Sequence, residues 1–461
     1  MTDPGTALPS RATCRSMQAR HAGVLFALGL CACDVEPAGR ESAADGSQDV
    51  GKADDGAFPG AAADKPGALT WSQLQTPVVS FAGNPLFVSN NPEEFRSYGV
   101  LAAAQSGSAI GWGSRWPEAP AGTWDGAVGS SQCEEGYTNF GVYLAHIRTD
   151  VSNAAISLVL EAPNGATVTV GGDIHSTAHW QTTSKSWLSA QIAKAFLLGE
   201  AESTTHTLAP GVPTVVREQT ALSLVEGRLQ VNADSCVKAF VVASPPGRAK
   251  DFLEEAARGK VLWSGWSGPG THGRAAGMFG HDEVQARVAL KFQNLGTQGV
   301  GLLRAAESIE AIGRPSDSAS ILFGNYGALI DTDVKLVNET GGCTDVLVEM
   351  VSYPDNQNTS DRTPTQSFFN QTGWSKPPSI FWNGPVKTTI DGKESVGHAV
   401  LNAAPTQGER DNPTQAMQSM RETLGSVTMQ DGDVSDVSVQ FPVPGYIVAP
   451  LAITATARPC G

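Results

Sequence analysis

From residue 69 onward, apolar and polar positions alternate with a period of two in short runs that end at Gly, Pro, Asn or Asp. This is the pattern of half-buried β-strands. Ala155-Ile-Ser-Leu-Val-Leu160 is followed by Pro163-Asn-Gly165 and then by Ala166-Thr-Val-Thr-Val170, which predicts two strands joined as a hairpin. Further strands are predicted over 237–242, 287–292, 345–350, 434–441 and 446–457. Helical spacing is scarce. Apolar residues three and four apart, ahead of a terminating Gly, predict helices over 186–198, 248–258 and 413–424, closed by Gly199, Gly259 and Gly425.

Many short strands with a few helical excursions predict a mainly β chain rather than a doubly wound sheet, because the regular alternation of strand and helix is missing. The expected architecture is two antiparallel β-sandwich-like domains with a few short helices. The first covers 69–247 and ends after Pro245-Pro-Gly247; the second covers 248–461 and opens with a junction helix. Asn139-Phe-Gly-Val-Tyr-Leu in the first and Asn325-Tyr-Gly-Ala-Leu-Ile in the second form a faint internal echo, each expected to open a strand.

The amino terminus follows a different pattern. Arg11, Arg15 and Arg20 precede an uncharged apolar stretch from Ala22 to Leu30. That length suits the core of an export signal, roughly 7–15 residues, and falls short of the about 20 that a membrane helix needs. Leu30-Cys31-Ala32-Cys33 resembles a lipobox, with a small residue directly before the Cys that would take lipid. Cys33 is the expected anchor and Cys31 the alternative; an ordinary secretory signal with incidental cysteines is the competing reading. Residues 1–32 are then a lipoprotein-type signal. Residues 33–68 are an acidic tether rich in Ala, Gly, Asp and Pro, too poor in apolar side chains to offset its chain entropy by burial.

Composition narrows the partners. Of 461 residues, 31 are basic and 46 acidic, a net charge of −15 that becomes −17 when Asp3 and three Arg leave with the signal. Such a body repels phosphate, so nucleic acid is not an expected partner. The expected location is the bacterial cell envelope, with the membrane contacted through the lipid anchor. Removal of Cys14 and Cys31, and lipidation of Cys33, leave Cys133, Cys236, Cys343 and Cys460. An even count in an oxidising compartment suggests disulfides, and four cysteines allow three connectivities. Pairing within each domain favours Cys133 with Cys236 and Cys343 with Cys460.

Several segments resemble a family of exported proteins of unknown function best known from cyanobacterial genomes. They are Phe87-Val-Ser-Asn-Asn-Pro-Glu93 with Gly99-Val-Leu101, residues 139–147, Gly273-Arg-Ala-Ala-Gly277, Phe323-Gly-Asn-Tyr-Gly327 and Phe381-Trp-Asn-Gly-Pro-Val386. The resemblance implies export and a β-rich body, and it supplies no catalytic residue. The lipobox and acidic tether depart from the simpler signal peptides of that family.

Candidate chemistry is sparse. No cofactor is expected, and the densest set of potential metal ligands is Asp173, His175 and His179, which would share one face of an extended strand; surface polarity beside Gly171-Gly172 is the competing reading. Asp431, Asp433 and Asp436 could hold calcium through oxygen ligands or form a solvated loop. Gly265-Trp-Ser267-Gly268 runs into Pro269, so the second Gly of a nucleophile elbow is misplaced. Trp112, Trp116 and Trp124 lie in a Gly/Pro-rich loop, where indoles could stack on sugars or fold inward to pin the loop; Trp263 and Trp266 form a similar pair.

The sequence therefore points to a non-enzymatic envelope lipoprotein that contacts a glycan or a protein. The alternative is a secreted hydrolase or metal-dependent enzyme that uses the His175 and His179 region.

Overall fold

The computed structural model describes residues 69, 73–91, 93–104, 132–133, 136–149, 151–178, 182–257, 275–302, 308–314, 318–322, 325–352, 382–401, 421–443 and 451–461. The Leu224–Ser244 strand organises the amino-terminal half. Its first part, from Leu224 to Ala233, runs between Gly136–Arg148 and Ala166–Thr177. After a register shift between Asn232 and Val237 it runs between Gly99–Ala104 and Ala154–Glu161. Changing partners at a bend lets one strand serve both walls of the same core.

The Val237–Ser244 segment shows why so apolar a strand is stable here. Val237, Ala239, Val241 and Ala243 face the core shared with Phe140, Leu158 and Val170. Phe240 and Val242, on the opposite face, are covered by Ala249, Leu253 and Ala256 of the Ala249–Ala257 helix. Both faces are dry, so period-two alternation of polar and apolar residues is lost.

Ala154–Glu161 and Ala166–Thr177 do not pair with each other as the expected hairpin. They lie end to end along the same long strand, the former against Lys238–Ser244 and the latter against Leu224–Ala233. Pro163-Asn-Gly165, with Gly165 at φ 80°, turns the chain around the bend of that partner instead of reversing it.

In the carboxy-terminal half a six-stranded sheet has the order Val78–Ala82, Glu283–Phe292, Leu329–Asn338, Val434–Pro442, Trp382–Ile390, Lys393–Leu401. It packs on a four-stranded sheet of Gly296–Gly301, Leu451–Pro459, Thr344–Ser352 and Arg421–Met429. Leu290, Phe292, Leu336, Val439 and Phe441 from one sheet meet Val346, Val348, Met350, Ile453 and Ala455 from the other. This is sheet-on-sheet packing over a common core. The molecule is thus mainly β and sandwich-like, with one departure from the antiparallel expectation: Glu283–Phe292 with Leu329–Asn338, and both Leu86–Ser89 and Glu94–Phe95 with Gly136–Arg148, are parallel ladders.

Two ladders join residues on either side of the 247/248 division expected from sequence. Val78–Ala82 pairs with Glu283–Phe292, and Leu86–Ser89 pairs with Ala276–Phe279. Residues 64–461 accordingly cluster as one compact unit. Disulfides link Cys133 with Cys236 and Cys343 with Cys460, at Cα separations of 6.0 and 5.5 Å.

Helices run over Thr182–Leu198 and Ala249–Ala257. Of the third expected helix, residues 413–420 lie outside the described residues, and 421–424 belong to the Arg421–Met429 strand. Pairing with Thr344–Ser352 and the Arg421 Nη1–Glu349 Oε2 contact at 2.9 Å override the local helical preference there. Among the described residues, no helix is long and apolar enough to cross a membrane.

Candidate functional site

The outward face of the six-stranded sheet is polar because its strands alternate. Val284, Ala286, Leu290 and Phe292 point inward, as do Ile330, Val334 and Leu336, which leaves Arg287, Ala289, Asp333 and Lys335 on the other face. Register sets Arg287, Asp333, Ser438 and Thr389 in one row across the sheet, and Ala289, Lys335 and Asp436 in the next. These residues, with Val78 at the rim, line an open groove of about 660 Å³.

Charge along the groove alternates in sign. Arg287 Nε stands 3.7 Å from Asp333 Oδ2, and Lys335 Nζ stands 4.0 Å from Asp436 Oδ1, all four side chains more than half exposed. Pairs so exposed and so loosely held contribute little to stability. Their groups therefore remain available to a ligand that presents hydroxyls or charges. Beside the groove, burial pushes the Asp331 carboxyl above its ordinary value, Gln440 opposes the shift through a hydrogen bond, and Asp333 and Glu283 add to it.

Of the sequence-derived metal ligands, Asp173 and His175 lie on the Ala166–Thr177 strand with His175 Nε2 3.1 Å from Asp173 Oδ2, both side chains about half exposed. His179 lies outside the described residues, as do Trp112, Trp116, Trp124, Trp263, Trp266, Ser267 and Cys33. Among the described residues, no group of three or more His, Cys, Asp or Glu is arranged to hold a metal ion. Asp431, Asp433 and Asp436 serve three different contacts. Asp431 accepts from the Gly341 amide at 2.9 Å, Asp433 from the Gln430 amide at 2.7 Å, and Asp436 faces Lys335. They act as turn and rim residues there.

Sequence reasoning missed a buried polar cluster on the same strand rows as Asp173 and His175. Glu226 and Arg228, two apart on Leu224–Ser244, point to one face; Arg228 lies between Tyr143 and Asp173, and Glu226 between Ala145 and His175. The Thr182–Leu198 helix covers this face. Ser189 Oγ donates to Glu226 Oε2, and the Phe196 ring centroid lies 4.3 Å from the Arg228 guanidinium carbon. Tyr143 donates its hydroxyl to Glu226 Oε1 at 3.4 Å.

Arg228 Nη2 stands 3.7 Å from Asp282 Oδ2, an ion pair too long for a hydrogen bond. Burial lowers the Arg228 pKa and raises that of Asp282, with the attraction between them opposing both shifts, so desolvation outweighs attraction for each. Burial likewise drives the Tyr143 hydroxyl well above its ordinary value, reinforced by Glu226 and Tyr326. The available signal was the pair Glu226 and Arg228, two apart between the apolar residues Leu224, Val225 and Leu229.

A second missed pair has the form of a nucleophile and its base: Ser89 Oγ lies 2.8 Å from His146 Nε2. Both residues are completely buried, and His146 packs edge-on against Phe95. A substrate cannot reach a hydroxyl in that position without unfolding the sheet, so the pair satisfies buried polar groups in a core.

No protein-family model matches the chain, and no curated protein matches it in sequence.

Proposed function

We propose that this chain is an exported envelope lipoprotein without catalytic activity, held to the membrane through Cys33 and binding a glycan or protein on the open face of its six-stranded sheet. The observation that carries the reading is the contrast between that face and the interior. The groove offers Arg287, Asp333, Lys335, Asp436, Thr389 and Ser438 to solvent, whereas the catalytic-looking Ser89–His146 pair is sealed. The two disulfides fit an oxidising compartment. The resemblance to exported proteins best known from cyanobacteria supports the same location.

The test is retention of the purified chain on an array of bacterial envelope glycans and peptidoglycan fragments and on immobilised envelope proteins. The parent is expected to be retained, and Arg287→Ala with Lys335→Ala to lose retention. Loss only with Trp112→Ala and Trp116→Ala would move the site to that loop, and no retention of the parent overturns the reading.

A metal-dependent enzyme is the second reading, favoured by the exposed Asp173–His175 contact of 3.1 Å. Stoichiometric zinc in the purified chain, lost in His175→Ala and His179→Ala, would establish that site in place of the binding module.

A further inference from the structure

The last strand of the six-stranded sheet, Lys393–Leu401, pairs on one side with Trp382–Ile390 and, among the described residues, has no strand on its other side. A two-residue turn fixes its start: Asp391 and Gly392 have φ of 46° and 75°, the double left-handed conformation that joins strands tightly. From there, nine residues pair without a register shift. Residues 393–398 are exposed, and Val396 is 40% exposed. Edges are ordinarily blunted by short length, bulges, proline or charged side chains. This one is nine residues long with no bulge and no proline, its charged Lys393 and Glu394 lie at its start, and the opposite edge, Val78–Ala82, is only five residues long.

We infer that Lys393–Leu401 is a homodimer edge, pairing antiparallel with the same strand of a second copy about a two-fold axis at Val396. The register follows from two constraints. Directly opposed residues in an antiparallel pair lie on the same face, so the outward set Glu394, Val396 and His398 must meet its own kind. Of the registers that do this, the one centred on Val396 sets Val396 against Val396 and Glu394 against His398 of the second copy, twice by symmetry. The carboxylate then faces the His398 imidazole, which lies near Lys194 of its own chain, while Lys387, 2.8 Å from Glu394 in the same chain, holds the carboxylate on the outward face. On the inward face Ser395 meets Gly397, and these small side chains let the two backbones approach. A register two residues away opposes Glu394 to Val396 or Val396 to His398 and forfeits the polar match. The contact is isologous, so it closes as a dimer instead of growing into a fibre.

Cysteine cross-linking in the full chain, produced in its own envelope, tests this. Opposed residues in an antiparallel pair have Cβ atoms about 4.5–5.5 Å apart, close enough for a disulfide after a small adjustment. Val396→Cys is expected to give several-fold more disulfide-linked dimer on a non-reducing gel than Val434→Cys, an exposed position on the same sheet away from this edge. Glu394→Cys and His398→Cys should cross-link each other when co-produced and should cross-link weakly when produced alone. Equal dimer yield from Val396→Cys and Val434→Cys overturns the inference. Strong self-linking of Glu394→Cys overturns the register. Secretion of each variant at the parent level, read on the same gel under reduction, shows that it has folded.

Discussion

Gly327 lies directly against Tyr143: a Cβ placed at Gly327 would come within 2.4 Å of both Cβ and Cγ of the tyrosine. Gly327 also has φ of 80°, a conformation that side chains other than glycine's rarely take. Its amide donates to Val443 O at 2.9 Å, which ties this turn to the end of the Val434–Pro442 strand. The two Asn-aromatic-Gly segments of the sequence echo thus meet in space, one carrying Tyr143 and the other presenting bare backbone to it. Gly327→Ala is expected to destabilise the chain by about 1–3 kcal/mol, the cost of strain at such a position. Urea unfolding measures this, and in a Tyr143→Gly background the cost should shrink, because the Cβ and ring that the added methyl would meet are both gone.

Arg228 is the only cation in contact with the Asp282 carboxylate among the described ion pairs. Arg228→Met leaves Asp282 buried without it and is expected to cost about 3–5 kcal/mol. Adding Asp282→Asn should recover most of that loss in equilibrium unfolding. Failure to recover would mean that the arginine acts mainly through its packing on Phe196.

The two disulfides close segments with sequence separations of 103 and 117. Replacing either pair by serine should lower unfolding stability by about 2–5 kcal/mol. Because the bridges tie different strands, the losses should be close to additive in the fourfold variant.

Asp331 gives a pH signature. Its folded-state pKa lies above 3.8, chiefly through burial, so between these values the folded state holds more protons than the unfolded chain. Its contribution to stability is therefore lost as pH rises through that window. Asp331→Asn removes the penalty. Its urea midpoint should exceed the parent's at pH 7, and the gap should close as the pH falls below 3.8. A gap independent of pH would assign the effect to hydrogen bonding with Ser438 and Gln440.

Lipidation is tested by labelling cells with a radioactive fatty acid. Cys33→Ser is expected to abolish incorporation and to release the chain from membranes, whereas Cys31→Ser should leave both unchanged. The reverse result would move the anchor to Cys31.

Much of the strand inventory was legible because a two-sided strand leaves a period of two in the sequence. Glu283–Phe292 and Val434–Pro442 carry it plainly, since one face meets the core and the other meets water. The Val237–Ser244 segment was legible as a strand through its β-branched content, but its double burial was not. That burial depends on the Ala249–Ala257 helix closing over Phe240 and Val242. At Pro163-Asn-Gly165 the turn itself was readable and its direction was not. Turn residues fix local dihedral angles, and the bend of Leu224–Ser244 determines where the chain goes next.

The candidate groove was not legible for the same reason. Arg287, Asp333, Asp436, Ser438 and Thr389 lie apart along the chain between positions 287 and 438, each an ordinary outward position on its strand. By itself the sequence determined what local rules govern: period-two strands and the end of the Thr182–Leu198 helix at Gly199. The tertiary structure decided which strands are neighbours, and so joined residues on either side of 247 in common sheets, buried Glu226 and Arg228 under a helix, and gathered the groove. Strand pairing is a non-local hydrogen-bonding choice with the same backbone groups on every strand, so side-chain pattern along one segment does not encode its partner.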